Sequence, residues 1–362
     1  MKKLAVFPRE FKSRHAWLLL TILSIVFAEV LSGSAPFGLL NPPEFLFLAA
    51  VYGGHLLVLA TFVFRRNRVP TLAALWTAGA IFGMYEFYIT KVLWDNPWDP
   101  VVVTQGIEVL TTVVLVGFWH PFMAFIAPLV VGEQLLVKDP HIAGLFPKWL
   151  RQPKRWVAVV LFVTVATNQG ALTANPGVLA IVVPGTALVL AWAARHLVPQ
   201  EKVESLADIL PRGKPLFGVG FVVAATYLLF IPTWRPEVSI PVERQMIVWF
   251  IYVALAVLLV RNLRNPAAPP TVRIPHPMVT RRRVFQFLGI AVTASVIPLT
   301  QVYAVVTIWG GAVIVAAVMM ASAVRGAFGG GRPGSVPGTG LESNLRRVDD
   351  LHDDEGLAST VE

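Results

Sequence analysis

Cysteine is absent from this 362-residue chain. That excludes disulfides, thiolate nucleophiles and cysteine-ligated metals. Charge is scarce as well: 14% of residues are charged, against about 25% in soluble domains, a deficit too large for a soluble protein with one core. The ~10-residue alternating segments of a membrane β-barrel are missing. So are P-loop, dinucleotide-binding and nucleophile-elbow motifs. What the chain does have is apolar length. Hydrophobic residues make up 56% of it, in runs long enough to cross a ~30 Å hydrocarbon core.

These runs predict an all-α, polytopic helical membrane protein of about ten transmembrane helices, at about 16–35, 44–64, 71–93, 103–136, 156–174, 177–197, 215–233, 245–262, 284–302 and 304–324. With the N-terminus in the cytoplasm and one crossing per run, 27 of the 30 Lys and Arg residues lie on the inner side. That is the bias expected of cytoplasmic loops. Only Lys91, Arg235 and Arg244 fall on or near the outer side. Both termini are therefore expected inside, in the plasma membrane. The 103–136 run is long enough for two helices, but two crossings would place about 20 basic residues outside. One crossing is expected instead, with the surplus taken up by tilt or by a kink at Pro121 or Pro128.

The net charge of +9 is thus explained by topology, and nucleic acid is not an expected partner. "MKKLAVFPREFKSRHAWLLL" has the basic and apolar regions of a signal peptide but no well-placed cleavage site, so a retained first helix is expected. The domain reading is a basic cytoplasmic segment at 1–15, a transmembrane domain at 16–325 and a cytoplasmic tail at 326–362. "GGGRPGSVPGTG" and "RRVDDLHDDEG" in that tail read as disordered.

Ionisable groups inside apolar runs cost at least ~2.5 kcal/mol each on insertion scales, so each is a candidate site residue. They are Glu29, His55, Glu86, Glu108 and His120, all in the first four helices (16–136), with Lys91 and Glu133 nearer helix ends. The second half holds little comparable; Asn168, Gln169 and Gln301 are its main polar groups. At 1.5 Å per residue, Glu29, Glu86 and Glu108 are expected ~7–10 Å below the outer helix ends, with His55 at ~16 Å. Three close carboxylates are not ionised together cheaply, so a proton or a cation would have to neutralise them. The plainer alternative is that each bonds to a neighbour such as Ser32, Tyr88, Thr90 or Thr104. In "GAIFG", Gly79 and Gly83 share the face that Glu86 continues, so another backbone is expected to approach there. No histidine pair has the spacing of a helix-borne zinc motif, and no metal is assigned. No cofactor is required.

The stretches "AEVLSGSAPFGLLNPPEFLFLAAVYGG" (28–54), "FGMYE" (82–86) and "WHPFMAFIAPLVVGEQLL" (119–136) resemble an uncharacterised family of bacterial multispan membrane proteins, over about the first 150 residues. The resemblance implies a shared fold without a known activity. "EFYITK" is also weakly similar to the E-E-x-x-x-R motif of the CAAX-protease and bacteriocin-processing family. Glu86 stands at the first acidic position and Lys91 at the arginine position, while Phe87 replaces the second glutamate; "FWHP" supplies His120.

Three functions follow. The first is a permease-like carrier with an outer-leaflet proton or cation site, its partners being the bilayer and a small solute or cation. The second is an intramembrane enzyme, and the third a structural or assembly subunit.

Overall fold

The computed structural model describes residues 9–64, 70–95, 102–147, 150–151, 155, 158–159, 176–199, 201–238, 240, 242–264, 281–294 and 301–329. Residues Met1–Ala327 form one compact unit and Phe328–Glu362 a second.

Helix α1 (Arg9–Ile25) widens into a π-helical turn, Val26–Val30. Helix α2 runs Pro42–Phe64, with a π-helical turn at Ala49–Gly53. Asn41 holds its N-cap position without a side-chain capping bond, and prolines occupy the first turn. Helix α3 spans Leu72–Phe87, its last four residues tightened into a 3-10 turn. A two-stranded antiparallel hairpin follows, β1 (Val103–Thr104) and β2 (Ile107–Glu108). Helix α4 (Val109–Leu136) contains a long π-helical segment, Leu115–Ile126. Then come α5 (Pro176–His196), α6 (Lys214–Thr233), α7 (Val242–Arg264), α8 (Arg281–Ala294) and α9 (Gln301–Phe328).

Among the described residues, six helices are long and apolar enough to cross a membrane: Ser13–Val30, Pro42–Phe64, Val109–Leu136, Lys214–Thr233, Val242–Arg264 and Trp309–Phe328. Two apolar helices, Leu72–Phe87 and Ala180–His196, are shorter. The expected crossing at 156–174, apart from residues 158–159, lies outside the described residues, Asn168 and Gln169 included. The 103–136 run is one helix, as the basic-residue distribution asks, but its first six positions form the hairpin.

Packing separates an inner group from a peripheral one. α3 lies along the π-helical part of α4, and α1 packs on α2 and α4. α6 sits on α2, α7 on α3, and α5 pairs with α8. About two thirds or more of α1, α2 and α4 is buried, against 6% of α6. The exposed positions of α6, α7 and α9 are large and apolar, including Phe217, Phe221, Leu228, Phe250, Ile314 and Val318. Such surface belongs against acyl chains. Gly218, Gly220, Gly310 and Gly311 lie on this periphery with nothing near their Cα hydrogens. Gly185 in α5 is, by contrast, covered by Leu40.

Side-chain contacts and a backbone bridge tie segments together at the two ends of the bundle. At one end, Lys91 Nζ donates to Arg235 O at 2.8 Å, and Arg235 pairs with Asp95. Phe47 stacks on Trp234 at 5.5 Å. At the other end, Trp17 Nε1 donates to Ile209 O, and Lys202 Nζ donates to Gln134 O at 2.8 Å. Thr61 Oγ1 donates to Pro211 O there at 3.3 Å, and Val137 pairs with Val203.

Candidate functional site

Helices α1 to α4 converge on a buried polar chain, and the residues that form it sit where the α-helix is locally abandoned. Glu29 lies in the π-helical turn of α1, Tyr52 in that of α2 and His120 in that of α4. Tyr85 and Glu86 lie in the 3-10 turn that ends α3. Wide and tight turns re-aim side chains and free backbone groups, and π-helical turns recur at functional sites.

The reason is clearest in α4. Pro121 has no N–H and cannot bond back to the preceding turn. The Gly117 carbonyl instead accepts Trp76 Nε1–H from α3 at 2.7 Å. The Leu115 carbonyl is met by His120 Nδ1 at 2.9 Å. Because a carbonyl only accepts, Nδ1 carries a proton and Nε2 is the nitrogen turned toward the site. Gly79 and Gly83 let α3 approach this segment closely. A Cβ on Gly83 would lie 3.0 Å from His120 Cβ and 3.1 Å from Val116 Cα.

From the loop after α1 inward, the chain begins at Ser34, whose hydroxyl donates to Glu29 Oε2 at 2.5 Å. Tyr52 OH bonds Glu29 Oε1. The Tyr52 and Tyr85 hydroxyls are 2.6 Å apart. His120 Nε2 is 3.1 Å from Tyr85 OH and 3.2 Å from Glu86 Oε1. Thr90 Oγ1 donates to Glu86 Oε2. Ser34 is exposed, while Tyr52, Tyr85, Glu86 and His120 are buried. Glu29 lies within electrostatic reach of both Glu86 and His120.

Of the five residues singled out in the sequence, three meet here: Glu29, Glu86 and His120. His55 sits beside them without joining the chain. Its ring stacks on Phe82 at 5.2 Å, and Phe82 in turn lies 5.7 Å from the His120 ring. His55 Nδ1 is 2.6 Å from Val51 O, and Nε2 is 3.2 Å from Tyr227 OH. Glu108 does not join the chain. It is the last residue of β2 and the N-cap of α4, and it makes none of the bonds of the chain. Its Oε2 is buried with no hydrogen-bond partner among the described residues. Of the expected trio, Glu29 and Glu86 are joined through the chain and Glu108 is not. The physical reason is that 103–108 turns back on itself, with Gln105 and Gly106 at positive φ, where a helix was expected.

Lys91 is also off its expected helix, in a left-handed turn after α3, where desolvation pulls its ammonium below the ordinary lysine range. Glu133 accepts the Ile142 N–H at 2.7 Å and so fastens the 142–145 turn at the opposite end. Among the described residues, no three His, Asp or Glu side chains are grouped to hold a metal ion.

Tyr52 and Tyr85, which carry the chain, were not candidates on sequence grounds, nor was Ser34. The signal was available in the tyrosine count, since only six occur in the whole chain and two flank the candidate acids and histidines in "VYGGH" and "MYE".

A family model described as an uncharacterized membrane protein family matches residues 18–329. The chain belongs to this family. Membership extends well beyond the first 150 residues that carry the resemblance, and it agrees with the apolar helices in placing the protein in a membrane. An "Uncharacterized protein" of Archaeoglobus fulgidus is 32% identical over 253 residues, covering 69% of this chain and 78% of that relative. Neither the family description nor the relative carries the CAAX-protease likeness. No solved structure matches.

The chain is chemically directional. With His120 as imidazolium, Nε2–H donates to Tyr85, Tyr85 donates to Tyr52, and Tyr52 donates to the Glu29 carboxylate. Passing one proton along each bond would leave a neutral imidazole and a protonated Glu29, with every hydrogen bond of the chain reversed, while Glu86 Oε1 would face a lone pair on Nε2 in place of a donor. Glu86 stays beside Nε2 as the counter-charge of the imidazolium state.

Proposed function

We propose that the protein is a proton-linked carrier in which Glu29 and His120 exchange one proton through Tyr52 and Tyr85, with Glu86 as counter-charge. The observation that carries this reading is the unbroken Glu29–Tyr52–Tyr85–His120 chain, which joins a carboxyl group to an imidazole. A packing role calls for each acid to have a local partner and not for a wire between them. The exposed Ser34 hydroxyl on Glu29 supplies contact with water at the loop end of the bundle. That end faces outward in this reading. Both termini are cytoplasmic in the plasma membrane, and ten crossings are completed by the 156–174 run. A protease role gains nothing from the geometry, because Phe87 is fully buried at the second acidic position.

The test is infrared difference spectroscopy of the purified full-length protein, stepped between acid and neutral pH. A protonated-carboxyl band is expected to appear together with a tyrosine ring-mode change. Glu29→Gln should remove the carboxyl band, and His120→Gln should uncouple it from the tyrosine signal. Carboxyl bands that titrate identically in wild type and Glu29→Gln would sink the proposal.

A further inference from the structure

A second group of polar side chains lies behind the relay, on the face of α2 and α3 that α6 and α7 cover. α6 is seated on α2, and α7 on α3. Where these two layers meet, Tyr227 and Tyr252 have their hydroxyls 3.5 Å apart, at the outer limit of a hydrogen bond. Tyr227 is committed to His55. Since Nδ1 of His55 faces the Val51 carbonyl and carries the proton, Nε2 accepts and the Tyr227 hydroxyl donates. Among the described residues, the Tyr252 hydroxyl has only the long contact to Tyr227.

Tyr88, just beyond the end of α3, completes the group. Its ring packs on Trp249 at 6.2 Å and on Tyr252 at 6.4 Å, and those two are 5.9 Å apart. Tyr88 is 7% exposed, and its hydroxyl is buried with no hydrogen-bond partner among the described residues. A hydroxyl left unpaired in an apolar setting is unfavourable, so this position calls for an acceptor. Trp249, which closes the group on the lipid side, is 55% exposed, and its neighbours on α7, Met246, Phe250 and Val253, are exposed apolar residues. The approach is thus from the acyl-chain region.

We propose that Tyr88, Tyr252 and Tyr227, with His55 and Trp249, form a lateral site between α6 and α7 for a neutral membrane-soluble molecule bearing a ring carbonyl, the chemistry of a quinone. Each part of the set selects for this. The two weakly engaged hydroxyls call for a hydrogen-bond acceptor. The five residues include no Lys, Arg, Asp or Glu, so a neutral oxygen is preferred to an anion or a cation. Tyr88, Tyr252 and Trp249 form one contiguous aromatic cluster with ring centroids 5.9–6.4 Å apart, whose exposed Trp249 ring offers a face for a planar group to stack on, and access past α7 requires solubility in the bilayer. The site is independent of the relay.

The test is quenching of tryptophan fluorescence by decylubiquinone in the purified full-length protein. The chain has 11 tryptophans, so Trp249→Phe identifies the component that reports on the site. Saturable quenching is expected, lost in Trp249→Phe and about tenfold weaker in Tyr88→Phe, the loss of one well-made hydrogen bond. Decylbenzene, with ring and chain but no carbonyl, should not compete. Equal affinity in Tyr88→Phe, competition by decylbenzene, displacement by a short-chain phosphatidylcholine, or quenching that does not saturate would each overturn the proposal. Quinone binding without a titrating Glu29 band would remove the relay alone, and the reverse result would remove this site alone.

Discussion

Five of the six tyrosines of this chain, Tyr52, Tyr85, Tyr88, Tyr227 and Tyr252, lie within two adjoining polar groups in the middle of an apolar bundle. A buried tyrosine combines a large apolar body with one hydroxyl that needs a partner. Each one therefore ties an apolar face to a specific oxygen or nitrogen. Tyr85 has the most partners, since its hydroxyl meets both Tyr52 and His120. Tyr85→Phe keeps the ring but leaves two buried polar atoms without their shared partner, at a cost of about 1–3 kcal/mol. Thermal unfolding of the purified protein should show a lower midpoint, and the same variant should break the infrared coupling between Glu29 and His120. An unchanged midpoint together with unchanged coupling would mean that the hydroxyl is not in the chain. The acids and histidines were legible in the sequence because any ionisable group in an apolar run stands out. The tyrosines, despite the signal of their small number, were passed over because an uncharged aromatic ring in an apolar run reads equally well as core packing.

At the scale of elements, the site is a set of departures from the α-helix that hydropathy does not encode. An apolar run reads the same whether its turns hold 3.6 residues or more. Pro121 marks a break in 103–136, but nothing in composition shows that the break spans Leu115–Ile126 or that Trp76 caps the Gly117 carbonyl. The hairpin was equally hidden, since Val103, Thr104, Ile107 and Glu108 continue the apolar run that becomes α4. What was legible was the Gly79 and Gly83 spacing, whose face does receive the backbone of α4. Gly83→Ala tests this contact. The added methyl would press on His120 Cβ and Val116 Cα together, and overpacking of a close helix contact typically costs about 1–3 kcal/mol. A lower unfolding midpoint is expected, with an altered titration of the Glu29 band as His120 is displaced. Gly218→Ala, at an unoccupied position on α6, should leave the midpoint unchanged. Equal effects of the two variants would mean that the close approach of α3 and α4 is absent.

For the whole molecule, the strongest sequence signal was charge, and the contacts at the ends of the bundle bear on it. The loop after α3, with Lys91 and Asp95, is tied to Arg235 after α6. The start of α2 reaches the same end through Phe47 on Trp234. The start of α1, the end of α2, the end of α4 and the 202–211 segment meet at the opposite end. These groupings are the ones expected if α1, α2, α3, α4 and α6 each cross once, and the second is the end at which the sequence count expects most of the basic residues. The absence of cysteine turns this into a direct experiment, because a single introduced thiol reports without background. Asn41 is exposed and its side chain makes no capping bond, and Glu201 is exposed at the other end. Asn41→Cys should react with a membrane-impermeant maleimide on intact cells. Glu201→Cys should react only after the cells are opened. The reversed pattern would place the basic loops outside and point the Ser34 port of the relay toward the cytoplasm. Labelling of both in intact cells would mean that the two ends are not separated by a membrane, and the proton-linked carrier would fall with the topology.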